Sequence, residues 1–334
     1  MGFVKGNILL MDMETINGDL LTLDDLKKLR DAGIETAYKF RTPWDSIEVE
    51  KGVYDWRATD AYLERVLAAD MRAVMTIYDT GPTLPWVPES WYVKTKSGIQ
   101  RSVLSPWNQE AMEYSFEFVR RFAERYTIPD KAMTACCHMT AGETIGLNEP
   151  MFYDDTAQAS FHALHGPNWY PTPNEARTEA WTKEAYFNQM TGLNRAILSV
   201  PGNCGEVWCQ LHLMIQHFGL YGNGSKWLPD LLGAYRALPG WTKTNQIYYT
   251  WLSWPQLWGE MQGLALGNGC DVYGGAEFAT GIVNTVDKAI ANGLRGQIVA
   301  PCYPDASVGG YTFVHDWMCA NIKEADKKWR ATGR

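Results

Sequence analysis

The chain has 334 residues, 46% of them hydrophobic, and a formal net charge of −8 at pH 7. That length suits one large α/β barrel or two ordinary domains, and the apolar share is ample for a buried core. The acidic balance argues against a nucleic-acid partner, which needs clustered Lys and Arg, and against an anionic membrane surface.

From the amino end, "GNILLMDM" reads as a strand, and "TLDDLKKLRDAG" as a helix that Thr22 can cap and Gly33 can end. "ETAYKF" is the second strand and "ATDAYLERVLAADM" the second helix. "RAVMTIY" and "NQEAMEYSFEFVRRFAERY" follow, then "AMTACCHMT" and "TKEAYFNQMTGLNRAILSV". The second half continues with "EVWCQLHLM" and "KWLPDLLGAYRAL", then "QIYYTWLS" and "PQLWGEMQGLALGNG". It ends with "CDVYGGA" and "IVNTVDKAIANG", then "GQIVAPCY" and "FVHDWMCANIKEADKKW". Each helix carries apolar residues at three- and four-residue spacing. Eight strand–helix pairs in this length predict an α/β fold of the (β/α)8 TIM-barrel type, one domain over 1–334. An open doubly wound sheet would carry a glycine-rich phosphate loop after strand 1, where "MDMETINGD" stands instead.

No apolar run is long enough to cross a bilayer. "NILLM" is too short for a signal-peptide core, and Asp12 and Glu14 follow at once. The expected setting is the cytoplasm, with a viral particle as the other compartment considered. The seven scattered Cys read as reduced thiols. Cys204, Cys209 and His212 raise a metal site, but on a strand Cys209 and His212 face opposite sides. No metal and no cofactor are expected.

In a barrel, residues just past the strands' carboxyl ends converge on one mouth, and chemistry sits there. The chain delivers Arg41, Trp44 and Asp45 after strand 2, and Tyr78, Asp79 and Trp86 after strand 3. Glu143 follows strand 4 and His212 strand 5. Tyr249, Trp251 and Trp254 mark strand 6, Glu277 strand 7, and Tyr303 with Asp305 strand 8. Carboxylates and rings with few cations suit a polar, uncharged ligand that stacks on rings. An oligo- or polysaccharide fits, since one pyranose face packs on aromatics. Most of the 15 Trp and 17 Tyr are still expected to fill the core. The segment 144–181 is far longer than ordinary strand-to-helix loops, and is read as a binding loop.

Two carboxyl groups flanking one bond are what glycoside hydrolysis needs. Glu143 and Glu277 come from well-separated strands and would meet at the mouth. Glu149, in "LNEP", is the rival acid. Glu143 is preferred because it directly ends an apolar run, where a rigid strand would aim it.

The stretch from "RDAGIETAYKF" to "PTLPWVP" resembles the first half of the barrel in clan A glycoside hydrolases, most of all the family 42 β-galactosidase type. The matching features are "GVYDW" at 52–56, a helix ending before strand 3, and Pro85-Trp86. The resemblance implies an acid/base after strand 4 and a nucleophile after strand 7, hence Glu143 and Glu277, and a retaining mechanism. It further implies that Arg41 holds the nucleophile ionised, and that Tyr249 or Tyr248 is the strand-6 tyrosine. One position departs from the pattern: Gly142, where the clan has Asn, precedes Glu143. "AGE" is similar to the β-amylase type, which inverts, while Asn148-Glu149-Pro150 reads like the clan's Asn-Glu-Pro. Trp44, Trp86, Trp251 and Trp254 are the expected stacking rings. Asp79, Glu149, His212 and Tyr303 are the expected polar contacts. The alternative function is a glycan-binding barrel without catalysis, part of a surface or viral assembly.

Overall fold

The computed structural model describes residues 6–12, 21–78, 84–94, 102–104, 108–137, 183–203, 209–210, 230, 233–241, 247–251, 271–276, 282–299, 304–305, 310–311, 314 and 316–333. Eight parallel strands form one sheet: β1 (Gly6–Asp12), β2 (Ile34–Pro43), β3 (Arg72–Tyr78), β4 (Ala132–Cys137), β5 (Cys209–Gln210), β6 (Ile247–Trp251), β7 (Asp271–Ala276) and β8 (Gly296–Val299). Their spatial order is β4-β3-β2-β1-β8-β7-β6-β5. The first and last strands are neighbours, in register from Gly6↔Gly296 to Leu9↔Val299. That is the cyclic order of a (β/α)8 TIM barrel. Among the described residues the β4–β5 junction has no ladder, β5 being described over two residues.

The longer helices among the described residues are α1 (Leu23–Asp31), α2 (Arg57–Ala68), α3 (Gln109–Tyr126), α4 (Lys183–Leu198), α5 (Ile282–Ala291) and α6 (Asp316–Ala331). Thr22 starts α1 through a capping box: its hydroxyl accepts from the Asp25 N–H at 3.2 Å, while the Asp25 carboxylate accepts from the Thr22 N–H at 3.1 Å. Gly33 ends it at φ 111°, a left-handed conformation that a side chain would strain. Asn108 caps α3, accepting from the Ala111 N–H at 3.0 Å. The buried face of α3 is Ala111, Met112, Ser115, Phe118, Val119, Phe122, Ala123 and Tyr126, the three- and four-residue spacing its sequence predicts. Helix α4 packs on α3 through Gly192, where an added Cβ would come within 2.1 Å of the Phe116 ring.

The strands alternate between two buried faces. Leu9, Ala37, Ala73 and Ala132 form one continuous row in register, and all belong to the core shared with the helices. The intervening row, Tyr38, Val74 and Met133, together with Ile8, points into the barrel lumen and is equally buried. At the amino end of the barrel, the seam between β1 and β8 carries a buried amide pair. Gln297 donates to Asn7 Oδ1 at 3.1 Å, and the Trp329 indole on α6 donates to the same oxygen at 3.2 Å. Thr285 on α5 donates to Gln297 Oε1 at 3.0 Å.

Three short antiparallel pairs lie in the loops after β2, β3 and β8: Glu48–Glu50 with Val53–Tyr54, Tyr92–Lys94 with Ser102–Leu104, and Pro304–Asp305 with Gly310–Tyr311. Strand periodicity did not announce them, because two or three residues are too few to show an alternation. The expected helix "PQLWGEMQGLALGNG" and the long loop 144–181 lie outside the described residues.

Candidate active site

The register assigns a phase to each strand end. Gln297 and Val299 of β8 face the helices, the first bonded to Thr285 and the second in the shared core. Their partners on β7 are Gly274 and Ala276, so positions 273 and 275 take the lumen phase. Tyr249 pairs with Tyr273 and Trp251 with Gly275, which gives both β6 positions the same lumen phase. Strand β7 ends at Ala276, one residue before Glu277.

Strand β2 reaches the mouth through a bulge. Ala37 and Lys39 lie in the helix-facing phase; Lys39 is buried, with its ammonium 4.6 Å from the centre of the Tyr62 ring on α2. Opposite them on β3 stand Ala73 and Met75. The pairing then jumps to Thr42↔Ile77, so two β2 residues answer one of β3. Thr42 is thereby opposite helix-facing Ile77, and position 41 moves to the lumen phase. In an unbulged strand, 41 would continue the series 37, 39 toward the helices. Re-aiming a strand next to a site is a common use of a bulge.

Just outside the strand ends, a polar and aromatic brace joins three segments. Glu48, in the hairpin after β2, is 1% exposed. Its carboxylate accepts three hydrogen bonds: from the Trp44 indole at 2.6 Å, the Gly52 N–H at 2.8 Å and the Tyr114 hydroxyl at 2.6 Å. The Tyr114 oxygen in turn accepts from the Trp86 indole at 2.9 Å. The Trp44 ring stacks on Phe118 at 4.4 Å and on Tyr114 at 5.5 Å. Burial, then the bond to Glu48, push the Tyr114 phenol well above its ordinary range, so it stays a donor at neutral pH. Between α2 and α3, Asp60 accepts from Nε and Nη2 of Arg125 and from the Tyr126 hydroxyl, the last at 2.9 Å. The Arg125 bond holds the Asp60 carboxyl below its ordinary range.

The structure thus puts the expected stacking rings to different uses. Trp44 is 1% exposed and packed in the core, so the expectation that it stacks on a sugar is corrected. Burial follows from its place directly after β2, where α3 covers it. Trp86 is half-buried at a turn closed by the Val87 N–H donating to the Leu84 carbonyl at 3.0 Å. Arg41, Tyr249 and Trp251 are placed by register as above. Glu143, Glu277, Asp79, Glu149, His212, Trp254 and Tyr303 lie outside the described residues. Sequence reasoning missed Glu48 and Tyr114. The four-residue step from Trp44 to Glu48 was the only local hint, since Tyr114 joins from 66 residues away. Among the described residues no group of three or more His, Cys, Asp or Glu side chains could hold a metal ion.

No protein-family model matches the chain. Solved structures do resemble it. The catalytic domain of β-amylase from Paenibacillus polymyxa superposes with TM-score 0.60 at 13% identity, covering 98% of this chain and 99% of that one. The β-galactosidase of the Antarctic haloarchaeon Halorubrum lacusprofundi gives 0.59 at 12% identity, covering 97% of this chain and 58% of that one. The cold-adapted β-galactosidase of Rahnella sp. R3 gives 0.61 at 10%, covering 98% and 56%. The chain therefore spans little more than half the length of those β-galactosidases and nearly all of the β-amylase domain. At these identities the likeness is one of fold.

Proposed function

We propose that the chain is a glycoside hydrolase that cleaves an O-glycosidic bond of an oligo- or polysaccharide. Glu277 is the nucleophile and Glu143 the acid/base, in a retaining mechanism. The observation that carries this reading is the lumen phase of 273 and 275 on β7. The place of Glu277 in the sequence, one residue past β7, supports its assignment to the barrel mouth. The likeness to β-amylase and β-galactosidase folds supports a carbohydrate substrate.

In the proposed reaction Glu143 protonates the leaving oxygen as Glu277 attacks the anomeric carbon. Water, deprotonated by Glu143, then releases the sugar from Glu277. Arg41, near the end of β2, keeps the Glu277 carboxylate ionised by its charge. Tyr249, Trp251, Trp254, Trp86 and Tyr303 bind the sugar, with Asp79, Glu149 and His212 as polar contacts.

The test is a panel of natural saccharides read by NMR for the anomer first released. Replacing Glu277→Gln is expected to lower turnover by more than about a thousandfold with the fold intact. Near-normal turnover would overturn the assignment. Glu143→Ala is expected to spare activated leaving groups and to be rescued by azide; the same behaviour in Glu149→Ala moves the acid into the loop. First release of the inverted anomer makes Glu277 a general base instead. The second reading, glycan binding without hydrolysis, is favoured by Gly142 standing before Glu143. Saccharide binding with no product after long incubation would establish it.

A further inference from the structure

Trp86 is held in an unusual degree of constraint for a residue that is not fully buried. The turn that carries it is anchored at both ends, by Leu84 at 2% exposure and Val87 at 8%. Its indole N–H is spent on Tyr114, and Tyr114 is itself fixed by Glu48. Glu48 is fixed in turn by Trp44 and by the Gly52 backbone. The chain of contacts runs from the loop after β3, through α3, into the loop after β2. The indole N–H is the only polar atom of the Trp86 side chain, and it is bonded within the protein.

A half-buried indole with its polar edge turned into the protein offers an apolar ring and little else. Its turn follows the carboxyl end of β3, the side of the barrel where ligands bind. A ring locked before the ligand arrives loses little rotamer freedom on binding, and so stacks at lower entropic cost. Of the two indoles tied to Glu48, Trp44 directly and Trp86 through Tyr114, Trp44 is 1% exposed and Trp86 is half-buried. Burying Glu48 is unfavourable unless its bonds serve a geometry.

We infer that Glu48 and Tyr114 are positioning residues that hold Trp86 as a carbohydrate-stacking platform on the β3 side of the mouth. The inference rests on the proposed glycosidase reading. It ties the hairpin after β2 and the turn at 84–87 into one unit, and it gives Trp44 its role: a donor to Glu48 within the brace.

The experiment compares Tyr114→Phe, Trp86→Ala and the double variant. The probes are oligosaccharides of α-1,4- and β-1,4-linked glucose, of galactose and of xylose, used with wild-type enzyme to find the substrate. Tyr114→Phe keeps the ring stacked near Trp44 and removes only the hydroxyl. It is expected to raise KM about three- to tenfold, the worth of one hydrogen bond, with kcat changed less than about twofold. Trp86→Ala is expected to raise KM further, and the double variant no more than Trp86→Ala alone. Glu48→Gln, which keeps the shape and one acceptor, is expected to fall between wild type and Glu48→Leu. An unchanged KM in Tyr114→Phe, or KM effects that multiply in the double variant, overturns the inference while leaving the glycosidase reading in place. If Tyr114→Phe folds poorly, Trp86→Phe tests the same bond from the other end. Wild-type protein that neither turns over nor binds any probe overturns the glycosidase reading, and the platform with it.

Discussion

Two buried polar networks sit at opposite ends of the same barrel. The amino-end network, Asn7 with Gln297, Thr285 and Trp329, is uncharged and built from strands and helices. The carboxyl-end network, Glu48 with Trp44, Gly52, Tyr114 and Trp86, is centred on a carboxylate and draws four of its five members from loops. The first stitches the β1–β8 seam to α5 and α6, so its output is stability. The second fixes loop groups beside the mouth, so its output is a surface. The difference follows from the architecture: strands fix their own geometry through ladders, whereas loops at the mouth need side chains to do it.

The comparison can be broken most forcefully with Glu48→Ala, which strands three donors at once. It is expected to cost about 3 kcal/mol in urea unfolding and to weaken saccharide affinity as well. Asn7→Ala is the matched change at the other end. It leaves the Trp329 indole N–H without its acceptor and is expected to cost about 2 kcal/mol, with turnover per folded molecule unchanged. Lost turnover in Asn7→Ala would erase the distinction between the two networks. The smallest effect concerns the Asp60–Arg125 pair between α2 and α3. The folded-state pKa of Asp60 is depressed, so its contribution is present above the ordinary carboxylate range and is lost as pH falls below about 4. The pair is partly exposed, and the stability gap between wild type and Asp60→Asn is expected to stay under about 1 kcal/mol at pH 7 and to close at low pH. A gap that widens on acidification would contradict the pairing.

Much of the architecture was legible in the order of residues. "RAVMTIY" matches β3 residue for residue, and Thr22 caps the helix its side chain predicts. These features depend on neighbours within a few positions, through alternation, helical spacing and local capping bonds. The bulge in β2 was not legible, because "ETAYKF" reads as an unbroken strand and only pairing with β3 reveals the extra residue.

The same division holds for the site. By itself the sequence determined the eight-fold strand–helix alternation, the acidic and aromatic character of the strand ends, and the proximity of Glu277 to the seventh strand. Tertiary structure alone decided that Trp44 belongs to the core while Trp86 stays half-buried, although both indoles follow strands and carry similar local signals. It also decided that Glu48 accepts from Tyr114, 66 residues away. A side chain's phase is set by its own strand, but its burial and its partners are set by what the rest of the chain packs against it.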